Sequence, residues 1–219
     1  MIPERAVPLV AADGTALEGR LAVPAAPTGG LVLCHPHPLY GGDMDNPVVV
    51  RLAEVGAALG WATLRFNFRG VGASGGRYDE GHGEQGDVEA AWARLAEVVD
   101  RGPRVLAGYS FGATVAAATA PRLAHLAGLI LVAPPLAAGG LGPVASLADL
   151  PAPVLVVAAG RDEFCPPPAL AALRRTLPRA TVTVLDEATH FFFGKLYPLG
   201  EAVRAWAAGL EAGQARGRS

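Results

Sequence analysis

The chain has 219 residues, 51% of them hydrophobic and only 17% charged, enough apolar material for a full core and no compositional sign of disorder. A formal net charge of −2 offers no electrostatic footprint for nucleic acid or an anionic membrane, and no apolar run approaches the roughly 20 residues of a membrane helix. The first residues lack the basic-then-apolar layout of a signal peptide, and Cys34 and Cys165 form neither a CxxC pair nor a disulfide framework. The expectation is a cytoplasmic protein with both thiols reduced, from a GC-rich bacterial genome given its Ala, Gly, Pro and Arg.

Residues 5–11 and 17–23 read as a hairpin around the turn dipeptide Asp13-Gly14. Residues 30–34 (GLVLC) read as a buried strand, and residues 47–59 as a helix capped by Asn46 with Pro47 in its first turn. The next strand covers 61–68. Residues 84–99 then follow as a helix, with Val88, Ala91, Trp92, Leu95 and Val98 at helical spacing. Further strands are expected at 105–107, 129–132, 154–158 and 180–185, and helices at 170–177 and 199–210. Strands alternating with helices predict an α/β fold, a mostly parallel sheet of about eight strands covered by helices on both faces. No repeat or low-complexity linker divides the chain, so a single domain over residues 1–219 is expected.

The most informative stretch is Gly108-Tyr109-Ser110-Phe111-Gly112, a G-x-S-x-G match. It follows the apolar strand and precedes the small, helix-compatible run from Ala113 to Ala120. Strand, tight turn, helix is the setting in which such a serine is held out of a sheet as a nucleophile. A Cβ at position 108 or 112 would collide with the neighbouring element.

A nucleophilic serine needs a histidine to take its proton and an acid to orient that histidine. On elbows of this kind the chain order is serine, acid, histidine. Asp162 follows the strand and Gly160; Glu163 and Asp186 are the competing acids, and capping the helix near Pro166 is the competing role for Asp162. Of the five histidines only His190 follows both serine and acid, since His35 and His37 precede the serine and His82 and His125 fall in a loop and near a helix end. Ser110, Asp162 and His190 all follow the carboxyl ends of parallel strands, the edge where such sheets bind ligands.

An oxyanion hole needs two backbone donors. Phe111 N–H is one, directly after the serine. The other comes from His35-Pro36-His37-Pro38, where the prolines leave His37 as the only N–H between His35 and Leu39. His35-x-His37 also resembles a pair of metal ligands, but no third ligand stands at recognisable spacing, so no metal is expected. Gly70-Val71-Gly72-Ala73-Ser74-Gly75 matches a dinucleotide fingerprint literally. That motif should open a helix, and here residues 76–83 continue as loop, so no nucleotide cofactor is expected.

Residues 31–42, 65–76, 106–114, 160–166 and 188–194 resemble the α/β-hydrolase superfamily, in particular its small bacterial serine hydrolases with an HPHP loop. CHPHPLYGGDMDNPVV stands where His-Gly-x-Pro is usual, RFNFRGVGASGG matches Asp-x-Arg-Gly-x-Gly-x-Ser, and the GYSFG elbow follows. The resemblance implies an α/β-hydrolase fold, Ser110, Asp162 and His190 as a triad, and the Phe111 and His37 amides as the oxyanion hole. The sequence departs from the pattern at Asn67, where many relatives carry Asp, a position read as structural. Dienelactone hydrolases share the fold but use a cysteine nucleophile; the elbow here carries serine.

Only residues 133–152 separate the strand before the acid from its predecessor, too few for more than a loop and a short helix. A minimal or absent cap and a shallow, open pocket are expected, walled by Tyr40, Met44, Tyr109, Phe164 and Phe191 to Phe193, with alternate phenylalanines turned into the core. Such a site suits a small-molecule acyl substrate, a neutral ester or thioester, hydrolysed with no cofactor, no nucleic acid and no membrane partner. The alternative is a catalytically idle member of the fold serving as an interaction protein.

Overall fold

The computed structural model describes residues 2–139 and 141–216. Asp13-Gly14 turns the chain as expected: β1 (Arg5–Val10) pairs antiparallel with β2 (Ala16–Ala22). Gly14 takes the positive φ (86°) of the turn, and the Asp13 carboxylate accepts from Thr15 N–H at 2.9 Å. Six further strands follow: β3 (Gly30–Cys34), β4 (Ala62–Phe66), β5 (Arg104–Tyr109), β6 (Leu126–Val132), β7 (Val154–Ala159) and β8 (Thr181–Leu185). Among the described residues they form one sheet in the order β1-β2-β4-β3-β5-β6-β7-β8, antiparallel at β1/β2 and β2/β4 and parallel elsewhere.

The inner strands are buried along their whole length because helices cover both faces, and alternation along each strand divides the core in two. Leu31, Leu33, Val105, Ala107, Ile130 and Val132 pack with α1 (Pro47–Ala58) and α7 (Leu196–Arg216). Val32, Cys34, Leu106, Leu129 and Leu131 pack on the other face, with α2 (Gly83–Ala96), α3 (Phe111–Thr119) and α6 (Pro167–Thr176). Asn46 caps α1, its side-chain oxygen accepting from Val48 N–H at 3.0 Å.

Between β6 and β7 the described residues form only two four-residue helices, α4 (Leu136–Gly139) and α5 (Gly142–Ala145), so the sheet edge there carries little cover. Helices α6 and α7 begin three residues before the expected 170 and 199, because Pro167, Pro168 and Pro198 sit in first turns where a missing N–H costs nothing. No helix among the described residues is long and apolar enough to cross a membrane.

Residues 67–82 form a loop, and α2 begins at Gly83. Arg69 anchors it, its backbone N–H and guanidinium both donating to the buried Asp87 of α2, at 2.9 and 2.7 Å, and its Nη1 to Asp13. Gly70 and Gly72 take positive φ, and the buried Ser74 hydroxyl donates to Asn67 O at 2.7 Å. Asn67 itself bridges two elements: its Oδ1 accepts from Met44 N–H at 2.8 Å and its Nδ2 donates to the Glu18 carboxylate at 2.6 Å. An aspartate there would set two carboxylates against each other and lose that donor, so the departure at Asn67 matches Glu18 on β2.

Candidate active site

At the end of β5 the chain reverses into α3 within one residue. Ser110 makes the turn with φ 54° and ψ −118°, a strained conformation for a residue with a side chain. The close approach explains the glycines: a Cβ on Gly108 would lie 2.2 Å from Gly112 O, and one on Gly112 2.4 Å from Cys34 O. Ser110 N–H donates to Val132 O at 2.9 Å, tying the elbow to β6.

Ser110 Oγ stands 2.9 Å from His190 Nε2, and His190 Nδ1 stands 2.8 Å from Asp162 Oδ2. All three residues are buried, with less than a tenth of their surface exposed. The Asp162 carboxylate accepts from His190 Nδ1–H, which leaves the Nε2 lone pair facing the serine hydroxyl. Asp162 is held in turn by Phe164 N–H, which donates to its Oδ1 at 2.8 Å. Gly160 permits that turn, since a Cβ there would lie 2.4 Å from Asp186 O. The competing acids, Glu163 and Asp186, are exposed, and neither hydrogen-bonds His190 among the described residues.

Tyr109 was expected as a pocket wall. It is instead buried beneath the histidine, its hydroxyl donating to His190 O at 2.9 Å; burial pushes the phenol up and keeps it a donor. One position before the serine on a strand, its side chain must face away from the opening.

The backbone N–H groups of Phe111 and His37 have no acceptor among the described residues. The carbonyl of His37 accepts from Tyr40 N–H and Gly42 N–H at 3.1 and 3.0 Å. Its ring Nδ1 accepts from Leu39 N–H at 3.2 Å. Gly42 has to be glycine, because a Cβ would lie 2.2 Å from Pro36 O.

His35 is fully buried, and both its ring nitrogens are engaged with backbone. Nδ1 donates to Pro36 O at 2.6 Å and Nε2 accepts from Phe68 N–H at 3.0 Å. It therefore stitches the loop after β3 to the loop after β4 and has no lone pair left for a metal. No cluster of three or more His, Cys, Asp or Glu suited to a metal ion occurs among the described residues. Burial pushes the His35 imidazole down to about 4, from an ordinary value of 6.5. Below pH 6.5 the unfolded chain takes up a proton that the folded chain refuses until about pH 4. Stability present above pH 6.5 is therefore lost as pH falls through that window, by about 3 kcal/mol from this residue. Urea denaturation between pH 7 and 4 is expected to show that loss, and a His35→Gln protein a shallower one over the same window.

Exposed aromatic rings pack on the histidines beside the serine, Phe164 and Phe191 on His190 and Tyr40 on His37. Phe164 packs its ring 4.7 Å from His190, and Phe191 and Phe193 stack on each other at 5.8 Å. Tyr40, 85% exposed, packs its ring 4.6 Å from the His37 ring. Phe192 is fully buried with Leu199 and Val203 of α7. The expected wall thus becomes a rim of Tyr40, Phe164, Phe191 and Phe193. Met44 does not belong to it: it is buried, and it lines a separate hollow of about 370 Å³ with Val7, Leu17 and Gly19 at β1 and β2. The loop after β3 crosses over β4, where Arg65 Nη1 holds Met44 O at 2.8 Å, and so carries this residue away from the serine. Both cysteines are buried and free, and burial pushes the Cys165 thiol up to about 11.

Residues 30–196 match the alpha/beta hydrolase domain family. A curated protein of Rickettsia prowazekii is 34% identical over 151 residues, 68% of this chain and 63% of its own length, so the match spans less than two thirds of that relative. An alpha-beta serine hydrolase homologue from Coxiella burnetii is 36% identical; the superposition covers 92% of this chain and 96% of that one, with a TM-score of 0.82. A Xanthomonas campestris structure described as an α/β serine hydrolase without lid is 32% identical, with 93% and 94% covered and a TM-score of 0.81. The matched stretch takes in β3, the Ser110 elbow, Asp162 and His190, and the chain is therefore a member of the alpha/beta hydrolase family.

Proposed function

We propose that the protein is a serine hydrolase of small carboxylic esters or thioesters. The observation that carries this reading is the hydrogen-bonded chain from Ser110 Oγ through His190 to Asp162, built on a serine held at positive φ at the open edge of the sheet. Ser110 Oγ attacks the substrate carbonyl carbon as its proton passes to His190 Nε2, and Asp162 stabilises the imidazolium that forms. The alkoxide is received by Phe111 N–H and His37 N–H. As the tetrahedral adduct collapses, the alcohol or thiol leaves with the proton from Nε2. Water, deprotonated by the same nitrogen, then releases the acid and restores the serine.

The rim of Tyr40, Phe164, Phe191 and Phe193 carries no charge and favours a neutral, apolar acyl group lying on an open surface. The relative described as lidless agrees with the sparse cover between β6 and β7. Two buried free thiols suit a reducing, cytoplasmic setting. A fluorophosphonate probe tests the reading against an idle interaction protein, because only an activated serine reacts with it. Stoichiometric labelling at Ser110 is expected, together with hydrolysis of p-nitrophenyl acetate that survives exhaustive EDTA dialysis. An unlabelled, inactive wild-type protein would support the idle alternative, and activity restored only by zinc would point to metal chemistry.

A further inference from the structure

The loop before α2 touches, through Tyr78, both residues whose amides form the proposed oxyanion hole. Tyr78 Oη lies 3.2 Å from His37 Nε2, and the Tyr78 ring packs 5.0 Å from the His37 ring and 5.6 Å from Phe111. The His37 and Phe111 rings themselves lie 4.9 Å apart, so the three side chains form a closed triangle. The hydrogen bonds orient it: His37 Nδ1 accepts from Leu39 N–H, so Nε2 carries the proton and donates to Tyr78 Oη. The loop behind Tyr78 is itself braced. Glu84, fully buried, accepts from Asp79 N–H at 2.8 Å and Gly81 N–H at 2.9 Å, and a Cβ added to Gly81 would lie 3.8 Å from the Phe111 ring.

We infer that Tyr78 is a positioning residue that sets the spacing of the His37 and Phe111 amides and so tunes stabilisation of the oxyanion. His37 N–H lies in a loop, tied to no strand, whereas Phe111 N–H is fixed by α3. Without Tyr78 the His37 ring loses its Nε2 partner and keeps, among the described residues, the Leu39 N–H on Nδ1 and the rings of Phe111 and the exposed Tyr40. A hydrogen-bond donor must stand within a few tenths of an ångström of the place where charge develops, so a small loss of register costs rate and leaves ground-state binding alone.

The inference rests on the hydrolase reading above, and its test separates the two. Tyr78→Phe and Tyr78→Ala proteins are compared with wild type on p-nitrophenyl acetate, with active sites counted by fluorophosphonate labelling so that unfolded protein is not scored. Each is also titrated with a trifluoromethyl ketone. Ser110 Oγ adds to the ketone carbon, its proton passes to His190 Nε2, and the ketone oxygen becomes an alkoxide in the hole. Tyr78→Phe, which keeps the ring and loses the hydroxyl, is expected to lower kcat by about threefold to tenfold, and Tyr78→Ala by about 100-fold, with KM within twofold of wild type. The inhibition constant for the ketone should rise in proportion to the fall in kcat/KM. A raised KM with unchanged kcat, or wild-type kcat per labelled site in both variants, overturns the positioning role while leaving the hydrolase reading in place. A wild-type protein that neither labels nor hydrolyses overturns both.

Discussion

Ser110→Ala is expected to lower kcat on p-nitrophenyl acetate by about 10⁴-fold or more while the protein keeps its fold. Alanine removes only Oγ, whose hydrogen-bond partner among the described residues is His190 Nε2. The elbow is held by other groups: Ser110 N–H donates to Val132 O, and Ala113 N–H donates to Ser110 O. The positive φ strains alanine about as much as serine, so the thermal midpoint should move by only a few degrees. Steady-state kinetics on a preparation purified away from host esterases checks this. More than a few per cent of wild-type kcat in the alanine protein would remove Ser110 from the nucleophile's role.

The second large effect belongs to the acid. In an Asp162→Asn protein one side-chain oxygen can still accept from Phe164 N–H, as Asp162 Oδ1 does now. The amide nitrogen then faces His190 Nδ1 and donates to it, which forces the imidazole proton onto Nε2. Nε2 can no longer accept from Ser110, and the proposed nucleophile loses its base. A loss of about 10⁴-fold in kcat near neutral pH is expected, with little change in KM. Glu163 is exposed on the same turn, so Glu163→Gln should leave kcat within about twofold of wild type. If Glu163→Gln proves the more damaging change, Asp162 is not the orienting acid.

Much of this arrangement is legible without coordinates. Buried parallel strands are nearly continuous apolar runs, and the residues that end them (Gly108 before Ser110, Gly160 before Asp162) are glycines because backbone from another element passes within the radius of a Cβ. Local chemistry of that kind leaves a mark in the order of residues. The hairpin at Asp13-Gly14 and the Asn46 cap were legible for the same reason. The dinucleotide-like glycines at 70–75 could be discounted on local grounds too, since no helix opens within them.

Other features depend on which distant segments meet, and periodicity carries no record of that. The sequence anticipates that alternate phenylalanines turn inward, but it is the position of α7 that selects Phe192 for burial and leaves Phe191 and Phe193 on the rim. Met44 is close to His37 in sequence yet belongs to a different surface, because the loop after β3 crosses over β4. Asn67 in place of the usual aspartate makes sense only once Glu18, 49 positions away, stands opposite it. Tyr78 sits in a stretch with no helical or strand pattern, and its contact with His37 spans 41 positions. The sequence by itself thus determined the fold class and which residues end the strands at one sheet edge, because strand formation and tight turns are decided by near neighbours. Only the tertiary structure decided which side chains support that edge and which face solvent, because those contacts join elements that are remote in the chain and adjacent only after the sheet has formed.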